Sequence, residues 1–274
     1  MSSARVTILT GASRGIGVAI ARELARDGGV LVLTARDLAG LELTAEAVRA
    51  AGARVHVVVG DVTLPEDRER LLQEARSLGD IEVLVNNAGL EIAIALVDQT
   101  PDDIQRQLAV NLTAPILLAR EVLPEMVSRG RGAVVMISSM SGKSPTPWNS
   151  IYTATKFGLN GFTASTRIEL HGTGVNIGVV CPSFVAGAGM WADTGVKAPR
   201  MMREVPLERV AQGVRAVING AGEVLVTPSP VRPLLAIAQL LPGMDRPVLE
   251  RMGVLRVLRE RAQTIQRRRL EGKH

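Results

Sequence analysis

"TGASRGIG", residues 10–17, follows a short apolar run at 6–9 and leads directly into a stretch of helical period. Its glycines stand at 11, 15 and 17. Glycine lets the backbone turn sharply and come close to a pyrophosphate, whose negative charge is attracted by the free N–H groups and dipole of a helix start. A dinucleotide site is implied. The spacing is Gly-x-x-x-Gly-x-Gly and differs from the more general Gly-x-Gly-x-x-Gly fingerprint, so this cluster alone reads equally well as a tight turn. What surrounds it decides the fold.

Outward from this loop, β-branched runs at 5–9, 30–34, 54–59, 82–86, 133–137, 175–181 and 223–226 read as strands. Between them, helical period occupies 15–27, 37–51, 66–77, 101–128, 152–171 and 206–219. Parallel strands need crossover connections, so this alternation predicts an α/β fold: one doubly wound parallel sheet of Rossmann type, with extra C-terminal helices. The 274 residues, 46% hydrophobic and poor in aromatics, suit a single domain. We expect a catalytic unit over 1–230 and a basic helical extension over 231–274. Residues 182–206, with their glycines and prolines, read as an insertion and not as a boundary.

A single cysteine, Cys181, excludes an internal disulfide, and three histidines form no zinc-type cluster. No metal is expected. The start of the chain lacks the basic and apolar segments of a signal peptide, and no run of about 18 apolar residues is free of charge, Pro or Gly, so a cytoplasmic protein is expected. Residues 245–274 carry nine Arg and Lys against four Asp and Glu, leaving 23 of each sign elsewhere. The net charge of +5 therefore lies in the tail. There Val248, Met252, Leu255, Leu258, Ala262 and Ile265 recur at three- and four-residue spacing, with arginines elsewhere, an amphipathic pattern. Such a helix packs on its own domain, pairs with another subunit, or makes peripheral contact with an anionic membrane. A nucleic-acid partner is not expected.

Further motifs follow in order: "NNAG" at 86–89, Asn111 within a long helical stretch, "ISS" at 137–139, and "YTATK" at 152–156. With TGASRGIG they resemble the short-chain dehydrogenase/reductase family, over residues 5–182 and more weakly to 226. The resemblance implies a nicotinamide cofactor and a catalytic set of Asn111, Ser139, Tyr152 and Lys156. It also implies cofactor contacts from Gly11, Ser13, Arg14, Gly15, Ile16 and Gly17, from Asn87, Ala88, Gly89 and Pro182, and from Tyr152 and Lys156. Asp61 and Val62 match the family's adenine-contacting pair. In the family the asparagine holds a water that links the lysine to solvent, and the lysine grips the cofactor ribose. Ser183 stands where many relatives have glycine, and Gly187 where they have a cofactor-touching threonine.

The chemistry can be argued from the residues themselves. Tyr152 is the chain's one tyrosine. Hydride transfer to a carbonyl leaves an alkoxide that needs a proton, and a phenol gives one readily when its pKa is pulled below about 10. Lys156, at i+4 and so on the same helix face, is the cation placed to do this. Ser139, ending a strand, is placed to hydrogen-bond the substrate oxygen.

At the end of the second strand, Ala35 takes the place of the acidic residue common in NAD-preferring relatives, and Arg36 follows it. With Arg14 it forms a clamp suited to a 2′-phosphate, which favours NADP over NAD; Asp37 argues weakly the other way. Residues 183–205 read as a substrate lid lined by Met190, Trp191, Met201 and Met202, with Met140 and Trp148 bordering the same pocket. A hydrophobic alcohol or ketone is the expected substrate, and a homodimer or homotetramer the expected assembly. The leading reading is an NADP-dependent alcohol/carbonyl oxidoreductase; its rival is a catalytically idle NADP-binding sensor or scaffold. An epimerase or dehydratase is a third.

Overall fold

Alternation within the strands dictates two cores. Val6 and Ile8 of the first strand, Val30 and Val32 of the second, and Val134 and Met136 of the fifth face one side. Leu9, Leu31, Leu33, Val135 and Ile137 face the other. In the computed structural model, which describes residues 3–187, 189–198, 203–228, 233, 235, 243, 245–251 and 253–271, this pattern produces a seven-stranded sheet. The strands are β1 (Arg5–Thr10), β2 (Val30–Ala35), β3 (Arg54–Val59), β4 (Asp80–Asn86), β5 (Gly132–Ile137), β6 (Val175–Pro182) and β7 (Glu223–Val226). All neighbours pair in parallel, in the order β3-β2-β1-β4-β5-β6-β7.

One face is covered by α1 (Ile16–Leu24), α2 (Leu38–Arg49) and α7 (Leu207–Ile218), through Ile20, Leu41, Val48 and Val214 among others. The other is covered by α3 (Pro65–Leu78), α5 (Ala114–Arg129) and α6 (Ser150–Glu169), through Leu71, Leu118, Val122 and Leu159. A shorter helix, α4 (Pro101–Leu108), begins with a reciprocal capping box between Thr100 and Asp103. Toward the C-terminal end the described residues include α8 (Asp245–Arg251) and α9 (Val254–Leu270). Among the described residues no helix is long and apolar enough to cross a membrane.

The helical stretch expected over 101–128 is interrupted. Between α4 and α5 lies a single π turn, Ala109–Thr113, closed by Ala114 N–H donating to the Ala109 carbonyl. Its cause is legible: residue 115 is proline, with no N–H to offer the carbonyl of Asn111 four residues earlier.

The order of strands reverses between β1 and β4, and the loops leaving these two strands are bolted together. Asn87 donates from Nδ2 to the carbonyls of Thr10 (3.0 Å) and Gly11 (2.9 Å), while Thr10 Oγ1 accepts from the N–H groups of Asn87 and Ala88, each at 3.0 Å. The crevice beyond this switch point is where ligands of such sheets bind.

Gly17 shows how little room the loop leaves, because a Cβ added there would lie 2.1 Å from the Gly11 carbonyl oxygen. We expect Gly17→Ala to lower the melting temperature by the equivalent of about 1–3 kcal/mol, the usual cost of forced overpacking. An unchanged melting curve would contradict this packing.

Candidate active site

Four loops converge at the carboxyl edge of the sheet. Lys156, on α6, is 3% exposed and donates from Nζ to the Ile137 carbonyl at the end of β5, at 2.9 Å. Its ammonium stands 5.3 Å from the centre of the Tyr152 ring, one helical turn away. The helix is fixed against β5 by Asn160, which donates to the Gly142 carbonyl at 2.7 Å, and internally by Thr155, which donates to the Tyr152 carbonyl at 2.6 Å. Ser139, just past β5, accepts from the Ser141 N–H at 3.1 Å.

Burial governs the titration of both groups. Lys156 falls from 10.5 to about 8 because its charge is desolvated, an effect only partly offset by Cys181 and Glu91. Tyr152 is raised well above its ordinary value, again chiefly by burial and then by the negative charge of Glu91, while Ser139 and Arg261 pull it down. The expectation from sequence was a lowered phenol; among the chain's own groups desolvation outweighs the attraction.

Asn111 is fully buried in the π turn, and its side chain is committed to the loop after β4. It donates to the Leu90 carbonyl at 2.6 Å and accepts from the Leu90 N–H at 2.8 Å. Asn87, Ala88 and Gly89 lie at the start of that loop. Gly11 and Gly15 have φ of 66° and 61°, and α1 begins after Gly15 with no side-chain cap on its first N–H groups.

Arg36 is exposed and stands 3.7 Å from Asp61. Asp61 in turn accepts from the Thr63 N–H and hydroxyl at 2.9 and 2.8 Å. Val62 packs against the core beside α3. Arg14 is also exposed and pairs with Asp193, within the stretch expected to form a lid, at 2.6 Å. Pro182 ends β6, and the buried Ser183 hydroxyl beyond it has no hydrogen-bond partner among the described residues.

The two ends of the stretch expected to form a lid, 183–205, are joined by a parallel bridge between Val185 and Val205. Of its expected lining, Met190 and Trp191 meet at Arg261, which donates to the Met190 carbonyl at 3.0 Å and stacks 5.0 Å from the Trp191 ring. Trp148, at φ 58°, lies on an open cleft of about 580 Å³ whose far wall is α9. Met140 packs on the core of the α5–α6 face. Met201, Met202 and Met252 lie outside the described residues.

Sequence reasoning missed the group that joins these parts. Glu91 and Arg261 form a doubly hydrogen-bonded ion pair, 2.7 Å at each oxygen, with Arg261 4% exposed. Asn149, preceding α6, also donates to Glu91. Burial alone would push Glu91 up, but the charge and hydrogen bonds of Arg261 hold it below the ordinary carboxylate value.

The tail therefore packs on its own domain, burying Val254, Val257, Leu258 and Ala262, and the expectation that its arginines lie off the apolar face is corrected at Arg261. A signal was present: Glu91 is the lone charge in "LEIAIAL", and Arg261 falls at i+3 and i+4 from Leu258 and Val257. Among the described residues no group of three or more His, Cys, Asp or Glu could hold a metal ion.

Residues 5–198 match the short chain dehydrogenase family model. The ketoacyl reductase HetN of Nostoc sp. strain PCC 7120 is 39% identical over 266 residues, covering 94% of this chain and 93% of that one. Among solved structures, a metagenomic short-chain oxidoreductase in complex with NADP superposes with a TM-score of 0.70 at 33% identity, over 82% of this chain and 97% of the other. An actinorhodin polyketide ketoreductase with NADPH gives 0.75 at 28% identity, over 83% and 98%. The chain belongs to the short chain dehydrogenase family, and is an oxidoreductase of that family.

The buried ammonium has a measurable consequence. Between pH 8 and 10.5 the unfolded chain binds a proton at Lys156 that the folded chain does not, so the cost to stability grows as pH falls through that window and is complete below it. Lys156→Met should therefore melt above the wild type at pH 7, with the gain shrinking as pH is raised from 8 to beyond 10.5. A pH-independent difference would contradict this burial.

Proposed function

We propose that the protein is an NADP-dependent reductase of ketones carried on hydrophobic acyl chains, with Tyr152 as the proton donor. One observation carries this reading: a buried ammonium, Lys156, held against the Ile137 carbonyl with the lone tyrosine one turn away and Ser139 beside them. The acyl ketone is favoured by the names of two relatives, a ketoacyl reductase and a polyketide ketoreductase, and by the apolar lid of Met190, Trp191 and Phe184.

The residues present fit the cofactor. The uncapped start of α1 offers N–H groups to a pyrophosphate, Gly11 and Gly15 keep side chains out of the cradle, and the orphaned Ser183 hydroxyl is a spare polar group at the end of β6. Asn87, Ala88 and Gly89 form the opposite wall, with Ser13, Ile16 and Gly17 in the loop and Asp61, Val62 and Pro182 at its margins. Arg36 and Arg14 are the cations for a 2′-phosphate. When bound, NADPH supplies the hydride that reduces the carbonyl carbon. Ser139 orients the carbonyl oxygen, and the Tyr152 hydroxyl gives that oxygen its proton. Lys156 favours the phenolate left behind and holds the cofactor ribose. The Asn111 side chain pins the loop at Leu90. Its backbone carbonyl, deprived of an α-helical donor by Pro115, is the group available to hold a relay water.

Residues 1–230 form the catalytic unit in this reading, and 231–274 an extension whose helix α9 packs over it. Phe157, Ile168 and Val127 expose apolar surface on α5 and α6 (42%, 78% and 39%), which suits a homodimer formed through these helices. The one cysteine, buried Cys181, suits a reducing cytoplasm.

Two variants test this reading. Tyr152→Phe keeps the ring and removes the donor, so reduction of a 3-oxoacyl thioester should fall by about 10²–10⁴ with NADPH affinity nearly unchanged. Near wild-type turnover would overturn the mechanism. Replacing both Arg14 and Arg36 by alanine should weaken NADPH binding by about tenfold or more while sparing NADH, since only NADPH carries the extra phosphate. Equal loss for both cofactors would overturn the clamp.

A further inference from the structure

Arg261 is 105 positions beyond Lys156 in the chain, yet its guanidinium lies in the site. It is buried, binds both oxygens of Glu91, donates to the Met190 carbonyl and covers the Trp191 ring. Four segments are thereby joined at one point: the loop after β4, the residue before α6 through Asn149, the lid, and α9. The rest of α9 strengthens the tie. Arg268 donates to the Asp193 carbonyl of the lid at 3.0 Å, and Arg269 pairs with Asp103 at the start of α4 at 2.7 Å.

An ion pair removed from water is weak evidence for stability, because desolvation of two charges offsets most of their attraction. Its position is the more informative property. We propose that Glu91 and Arg261 are a positioning pair for the reaction, fastening the lid and the C-terminal helix over the site and keeping the surroundings of Tyr152 electrically balanced. The proposal rests on Tyr152 acting as the acid.

The charged and titratable groups facing Tyr152 come from every side. They are Lys156 on its own helix, Glu91 from the loop after β4, Arg261 from α9 and Cys181 from β6, with the Ser139 hydroxyl at the end of β5. Glu91 favours the protonated phenol, and Arg261 favours the phenolate. Both side chains are largely buried, and in a poorly screened interior one unpaired charge shifts a neighbour by about a pH unit or more. Paired, the two largely cancel; deprived of one member, the other acts alone on Tyr152.

Because Tyr152 is the only tyrosine, its ionisation can be read directly from tyrosinate absorbance with no substrate present. The experiment compares wild type, Glu91→Gln, Arg261→Met and the double variant, each as its NADP⁺ complex. A parallel pH profile follows oxidation of 3-hydroxybutyryl-CoA.

Glu91→Gln should move the tyrosine midpoint and the rate profile toward acid by about one unit or more. Arg261→Met should move both toward alkali, and the double variant should return near the wild type. A merely structural pair would lower melting temperature or rate in all three without opposite shifts. Shifts of the same sign, or none, would overturn the proposal, and if Arg261→Met does not fold, an unshifted Glu91→Gln does so alone.

Tyr152→Phe is the control for the underlying reading. If it keeps full turnover, the catalytic assignment fails, whereas the absorbance titration still judges the charge balance by itself.

Discussion

An ammonium group taken out of water at the edge of a parallel sheet is the constraint on which this site depends. Lys156 loses hydration when α6 docks, and its pKa falls to about 8 as a result. One carbonyl, that of Ile137, faces it directly, and Glu91 provides the nearby negative charge. Such neighbours favour the charged form that burial disfavours. This is why α6 is fastened so closely to the end of β5. Asn160 reaches the Gly142 carbonyl, and the Ser138 hydroxyl donates to the Lys156 carbonyl at 3.4 Å. Gly142 itself is required there, because a Cβ would lie 2.6 Å from Asn160 Nδ2 and 2.7 Å from the Lys156 carbonyl oxygen.

The sheet order brings the other half of the site to the same edge. β1 and β4 are neighbours although three helices and two strands separate them in sequence, and this adjacency sets the glycine loop beside Asn87–Gly89. From there the loop continues to Leu90, held by Asn111, and then to Glu91, held by Arg261. The segment that lines the crevice beside the glycine loop and the segment gripped by Arg261 are thus one continuous strip of chain. Arg14, which pairs with Asp193, ties the glycine loop to the segment after β6 as well.

Much of this could be read in the sequence because the relevant signals are local. Short β-branched runs mark the strands, each expected strand is present, and the glycine loop opens α1 as expected. Tyr152 and Lys156 share a face because helical geometry makes i and i+4 neighbours. The π turn was missed within a continuous helical period, although Pro115 marks it. The Glu91–Arg261 pair was missed for a different reason. It joins residues 170 positions apart, and no periodicity couples a loop carboxylate to a helix at the far end of the chain. The tail's apolar spacing was legible, but the packing that buries Arg261 beside Leu258 and Ala262 depends on a partner that only the fold supplies. The direction of the tyrosine shift was misjudged because sequence shows which charges are near and does not show how much water is removed.

Every residue role proposed here serves a hydride-linked reduction at this edge of the sheet. The most direct test incubates the protein with a 3-oxoacyl thioester and NADPH carrying deuterium at the reactive carbon of its nicotinamide, and analyses the product by mass spectrometry. The expected product is a 3-hydroxyacyl thioester with one deuterium on the carbon that bore the ketone. Absence of that product, or a product without the label, would contradict it.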